Sequence, residues 1–365
     1  VPVGAFFDEH KHGALFRIFV AVRIAPVYDE SQIRQFSHRR KLLRSFGLAF
    51  ASWFEKYTFL LIPGSLVLGW LLSDVLLDFV HWIPYLFGYI TLVMALGCGI
   101  RHLQGVLKRP FAVMLTLFLA HAAAPVLAYG LGSAVFGAHS DYTIGLLLFA
   151  IIPLGISSVM WVGSSGGSVP FILAVVVLDT ILSPLVVPAL MDMFIGDALV
   201  AWNASELILD LLTMVVLPTL IGVMLYEISK GRIKEWSAPV TQPISKLFFM
   251  LVVMLNAAAI APHAAGMKEE MLVVIPVVVA LIVICYLLGY FGSYAMPGRT
   301  EDMQITFTYA SGMRNISLGM VLATSYFSPQ ASIPVVLGIM FQQPAATVIH
   351  ALFHRRRARA VSFPK

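Results

Sequence analysis

The stretch Gln304 to Phe327, QITFTYASGMRNISLGMVLATSYF, is long enough to cross a bilayer, yet Ser311, Gly312, Arg314, Asn315 and Ser317 crowd its middle. A helix facing lipid does not carry such groups, because an ionised arginine at mid-membrane costs at least ~3 kcal/mol on insertion scales. Polar or broken backbone persists at that depth only when it is buried in protein or lines a watery cavity. A second stretch of this kind lies earlier, Thr143 to Ser168, where Pro153, Gly155, Ser157 and Ser158 interrupt an apolar run. Two interrupted spans at matching places in two halves of a chain point to the binding site of a membrane carrier.

The rest of the chain fits a polytopic protein. Of its 365 residues, 59% are hydrophobic and 12% charged, about half the charge of an ordinary soluble domain, and the mean hydropathy is +0.88. The net charge of +5 does not argue for a nucleic-acid partner, because the basic residues lie in loops between apolar runs, where membrane topology accounts for them. Cys98 and Cys285 each stand inside an apolar run with no Cys-x-x-Cys partner, the setting of inert buried thiols. No Ser-His-Asp order, His-Glu-x-x-His, P-loop or cysteine cluster occurs in a credible context, and GSSGGS at Gly163 to Ser168 lacks the lysine of a P-loop. Neither enzymatic activity nor a cofactor is expected.

Apolar runs follow one another at about 54–73, 80–100, 110–131, 143–165, 169–194, 208–228, 240–262, 272–294, 304–327 and 330–353, each near the ~20 residues of a spanning helix. Placing the flank before the first run in the cytoplasm puts 17 basic residues on that side, against Lys268 on the other, where Asp74, Asp78, Asp141, Asp197 and Glu206 gather. This bias supports an all-α protein of ten spans in the cell membrane, in contact with lipid and with both termini cytoplasmic. An odd number of spans per half orients the halves oppositely, so the interrupted fourth and ninth spans become equivalent members of an inverted repeat. The expected organisation is a cytoplasmic N-terminal extension over 1–46, five-helix repeats over 47–195 and 196–353, and a basic cytoplasmic tail over 354–365. In the extension, Arg17 and Arg23 within FRIFVAVRIAP argue against a signal peptide; an interfacial amphipathic helix and a loosely ordered tail both fit.

Five places carry candidate chemistry. Arg314 and Asn315 read either as donors facing an anionic substrate group, helped by half-helix N-termini, or as structural caps for carbonyls freed by the break. Ser157 and Ser158 are their counterpart in the fourth span, suited to a coupling ion, to substrate, or to loose backbone groups. Asp179 is the only carboxylate deep inside an expected span. It suits a pair with Arg314, a proton relay or a cation site, unless it stands near an interface. His121 suits proton coupling or hydrogen-bonded packing. Gln342 and Gln343 suit substrate contacts or helix packing.

WFEKYTFLLIPGSLVLGWLLSD, IPYLFGYITLVMALG, VLKRP at Val106 to Pro110, and SGMRNISLG at Ser311 to Gly319 together resemble the bile acid:sodium symporter family and its bacterial members. The last of these matches a G-M-x-N-x-x-L signature on a broken ninth helix, and the likeness runs from about Trp53 to about His354. It implies ten helices in panel and core domains, crossing unwound fourth and ninth helices, and secondary active transport of organic anions, often coupled to sodium. The sodium ligands it implies do not carry over residue by residue. Ala310 stands where sodium-coupled relatives place a Glu three positions before the signature Met, and Arg314 stands where they place a Gln after it. Ser157-Ser158 replaces a Ser-Asn, and Ala120, beside His121, replaces a Gln five residues before a proline. A hard cation wants oxygen ligands and a guanidinium offers none, so no metal site is assigned. Asp179, Ser157 and His121 become the candidates for coupling, and proton-coupled or sodium-independent anion transport on the same fold is the alternative expectation.

Overall fold

A computed structural model describes residues 30–196, 204–264 and 268–362. Most of the extension expected over residues 1–46 lies outside these. Helix α1 (Glu30–Leu71) leads through a turn-rich stretch into α2 (Ile83–Ala95) and the short α3 (Ile100–Leu107). Helix α4 (Pro110–Phe118) passes through a π turn, Leu119–Ala123, into α5 (Ala124–Phe136). The pair α6 (Asp141–Ile151) and α7 (Ser157–Ser165) forms the first interrupted span, followed by α8 (Val169–Ile195). Helix α9 (Ala204–Leu211) passes through a second π turn, Leu212–Val216, into α10 (Leu217–Ile228). Then come α11 (Arg232–Ala264), α12 (Lys268–Gly292), the second interrupted pair α13 (Glu301–Gly312) and α14 (Ile316–Tyr326), and α15 (Pro329–Ser362).

Among the described residues, seven helical stretches are long and apolar enough to cross a membrane. With helices as the only regular elements there, the chain is an all-helical, polytopic membrane protein. Helices α1 and α15 outrun the apolar runs read at 54–73 and 330–353. Hydropathy marks where the chain meets lipid, whereas backbone hydrogen bonding continues a helix into water wherever the residues are good helix formers.

The helices pack in two groups. Helices α1, α2, α10 and α11 pack on one another, with α1 lying along α11 most extensively of all. Backbones approach closely there: a Cβ on Gly47 or Gly69 of α1 would run into the carbonyl oxygen of Pro239 or Met254 on α11. The second group gathers α5 with α6, α12 with α13, and α14 and α12 with α15, with α8 alongside. At its centre, Leu146 to Ile152 are at most 1% exposed and every residue of α13 from Met303 to Gly312 is buried. Helices enclosed on all sides need no polar face, and α6 accordingly carries a continuous apolar run.

Both π turns precede a proline by the same spacing, LAHAA-A-Pro125 and LTMVV-L-Pro218. Proline has no N–H for the carbonyl four residues back, and its ring crowds that carbonyl, so the preceding turn widens. In the first π turn the Ala124 N–H reaches the Leu119 carbonyl, five residues back. The Ala120 carbonyl is thereby released from the helix ladder.

Candidate functional site

The two interruptions meet. Pro153 disfavours helical backbone at Ile152, which adopts φ −59°, ψ 149° and ends α6. Met313, at φ −120°, ψ 119°, ends α13 in extended form, and Asn315 opens α14, its Oδ1 accepting from the Leu318 N–H at 3.4 Å. The extended pieces pair antiparallel across Leu154 and Arg314: the Gly155 N–H donates to the Met313 carbonyl at 3.0 Å and the Asn315 N–H to the Pro153 carbonyl at 2.8 Å. Only glycine fits at 155, since a Cβ there would lie 2.5 Å from the Arg314 carbonyl oxygen. Each break thus supplies the hydrogen bonds that the other lost.

Side chains from neighbouring helices pin the crossing. Gln342 of α15 holds both backbone groups of one residue. Its Oε1 accepts the Arg314 N–H at 2.8 Å, and its Nε2 donates to the Arg314 carbonyl at 3.2 Å. Asp179 of α8 is buried, and its Oδ2 accepts the Leu154 N–H at 2.7 Å. Its Oδ1 lies 2.5 Å from Nε2 of His121, which the first π turn presents from the other side. Ser158 is fully buried and donates to the Gly155 carbonyl at 2.6 Å.

Arg314 is 1% exposed. Its Nη2 donates at 3.0 Å to the Ala120 carbonyl, the one that the π turn released. Asp179 and Cys285 lie close enough to the guanidinium to act on it electrostatically. Its Nε and Nη1 are buried without a hydrogen-bond partner among the described residues, as is Nδ1 of His121. Arg314, Asp179, His121 and Ala120 therefore form one buried cluster beneath the crossing.

Above the crossing, a cavity of about 490 Å³ separates the two helix groups. Gly155, Ile156 and Ser157 at the start of α7, and Asn315, Ile316 and Ser317 at the start of α14, line one wall, so two half-helix N-termini bear on the same space. Gln342 and Gln343 line it too, and Gln343 accepts at 2.9 Å from the indole N–H of Trp161. Ser158 is absent from this wall, being turned to the backbone. Asp179 and His121 are likewise absent.

The opposite wall was missed in the sequence. Lys234, Ser237, Thr241, Gln242, Ser245 and Lys246 of α11 line the cavity. Their spacing is helical, a polar stripe within an otherwise apolar helix, and it was legible. Lys246 stands fourteen residues into α11, ~21 Å from its start, with its ammonium 6.0 Å from the centre of the Phe54 ring. Among the described residues, no group of three or more His, Cys, Asp or Glu side chains forms a metal site.

Residues 84–263 match the sodium bile acid symporter family. The uncharacterized protein YbaS of Bacillus subtilis is 32% identical over 296 residues, covering 81% of this chain and 96% of its own length. YocS of the same organism, described as an uncharacterized sodium-dependent transporter, is 23% identical over 81% of this chain and 87% of its own length. A probable sodium/metabolite cotransporter of rice chloroplasts, BASS2, is 24% identical over 81% of this chain and 70% of its own length.

Proposed function

The chain belongs to the sodium bile acid symporter family, and from that premise we propose that it is a secondary active transporter of small organic anions, working by alternating access around the crossing of its interrupted spans. The observation that carries the reading is the cavity wall on which the N-termini of α7 and α14 converge beside Ser157, Asn315 and Gln342. Partial positive charge at two helix starts, unspent N–H groups and short polar side chains suit a carboxylate or sulfonate. The apolar remainder of the lining, with Phe54, Phe87, Phe249, Met94 and Met160, suits the organic part. Ten spans arranged as two inverted sets of five, with α6/α7 and α13/α14 as the fourth and ninth, account for the matching interruptions and for the charge bias of the loops.

The names of the relatives tie this scaffold to sodium. Coupling to protons, or to no ion, is the second reading, favoured by Ala310 and by the guanidinium of Arg314 on the Ala120 carbonyl. Uptake of labelled anions into proteoliposomes, under separate sodium and proton gradients, tests the main reading. Asn315→Ala and Ser157→Ala are expected to lower uptake about tenfold while leaving the protein in the membrane, the loss of one hydrogen bond to a charged group. Normal uptake by both variants would remove the crossing as the site.

A further inference from the structure

Resting on the reading of the chain as an anion carrier, we propose that the ion accompanying the anion is a proton, taken up by His121 and balanced by Asp179 against the fixed charge of Arg314. The place below the crossing does not fit a sodium ion. Both oxygens of Asp179 are engaged, one by the His121 ring and the other by the Leu154 N–H. The Ala120 carbonyl already accepts from Arg314, and Ala310 has no side-chain donor. Hard cations need several oxygens at once, and here they are bound to nitrogen.

The same cluster fits a proton. His121 uses Nε2 on Asp179, while Nδ1 is buried without a partner. A proton delivered by water to that lone pair makes a new N–H bond and adds one charge; its release returns the ring to neutral. With the imidazole neutral, Asp179 and Arg314 sum to zero. With it protonated the cluster carries +1, which cancels a monovalent anion in the cavity above. A loaded carrier of net zero charge crosses the low-dielectric interior more readily than a charged one. The path from proton to anion is short, since Asp179 holds the Leu154 N–H and Leu154 pairs with Arg314 in the crossing.

The elements packed against the π turn and α8 carry further titratable groups, among them Tyr129 on α5 and Tyr226 and Glu227 on α10. Helix α12 brings Cys285 and Tyr286, α13 brings Tyr309, and the break after it brings Arg314. Asp141 and Tyr142 on α6, Arg101 and Lys108 at α3, and Glu206 and Asp210 on α9 stand near the ends of their helices.

One-to-one coupling predicts about tenfold accumulation of a monovalent anion for an inward gradient of about one pH unit. Proteoliposomes holding the full chain are to be tested with labelled pyruvate, a small carboxylate, and labelled taurocholate, a large and permanently ionised sulfonate, with protein-free vesicles subtracting any passive entry of pyruvic acid. Accumulation is expected to follow the proton gradient with choline in place of sodium, and to be indifferent to a potassium–valinomycin potential. In His121→Gln, steady-state accumulation should fall to about onefold, a ratio set by coupling and not by the amount of active protein. Counterflow of the same labelled anion, with no ion gradient, is measured in the same vesicles, so loss of anion exchange speaks to the carrier reading alone. A carried anion that accumulates on a sodium gradient and ignores the proton gradient overturns the proposal, with no variant needed. So does a His121→Gln protein that keeps its proton-driven accumulation.

Discussion

Arg314 and Lys246 stand well inside the expected membrane spans, and their surroundings divide the labour between them. Arg314 borders the cavity but is only 1% exposed, its guanidinium bonded to a backbone carbonyl and flanked by Asp179. Lys246 is half-buried and lines the cavity wall opposite the crossing. An ionisable residue at this depth that faces a cavity marks a substrate path more often than packing. Lys246→Met is expected to raise the KM for a carried anion about ten- to a hundredfold, the loss of one charge-assisted contact, with a smaller effect on kcat. Lys246→Arg should restore much of it, because the charge returns even though its geometry differs. Uptake kinetics decide this, and unchanged KM in Lys246→Met would confine the anion to the helix starts across the cavity. Arg314→Gln should behave differently. Removing one partner from a buried charge cluster typically costs ~3–5 kcal/mol, so the yield of folded protein in detergent should drop along with transport.

At the scale of the elements, one proline is predicted to hold the buried cluster in place. Pro125 forces the π turn, the π turn releases the Ala120 carbonyl, and that carbonyl receives Arg314. Pro125→Ala would let α4 and α5 close as one regular helix and return the Ala120 carbonyl to the Ala124 N–H. The guanidinium then loses its hydrogen bond to that carbonyl, and anion accumulation should fall about tenfold, measured against counterflow by the same variant. The crossing itself is stricter: Gly155→Ala puts a methyl 2.5 Å from the Arg314 carbonyl, which should abolish transport in uptake assays. The interruptions were legible in the sequence because Pro153, Gly155 and the run SGMRNIS have no reason to lie inside an apolar span. The direction of Arg314 was not legible. Residue type says that a guanidinium seeks oxygen, whereas which oxygen is free depends on a π turn nearly two hundred residues earlier. The stripe on α11 was legible in principle, but reading 240–262 as one apolar run averaged Lys246 and its polar neighbours away.

Across the whole molecule, the cavity and the charge bias of the loops lead to one expected orientation. Lys234, near the start of α11, and Gly97, between α2 and α3, line the same cavity as Ser157. Val169 and Leu173, at the start of α8, do so as well. These helix ends adjoin Arg101, Lys108, Arg109, Lys230 and Arg232, the basic side that the positive-inside rule assigns to the cytoplasm. We therefore predict that the cavity opens toward the cytoplasm and that the exposed His139, between α5 and α6, lies on the opposite face. Native Cys98 and Cys285 are both buried, so a single introduced thiol dominates labelling by a membrane-impermeant maleimide. Ser157→Cys is expected to react faster in inside-out than in right-side-out vesicles, and His139→Cys to show the reverse preference. Because Ser157 stands at the crossing, its labelling reports which face the site is open to, whereas His139 reports topology alone. Faster labelling of Ser157→Cys from the outside, with His139→Cys behaving as expected, would leave the span count intact and reverse the facing of the site. Both thiols labelled from one side would overturn the span count, and with it the inverted pairing of α6/α7 with α13/α14.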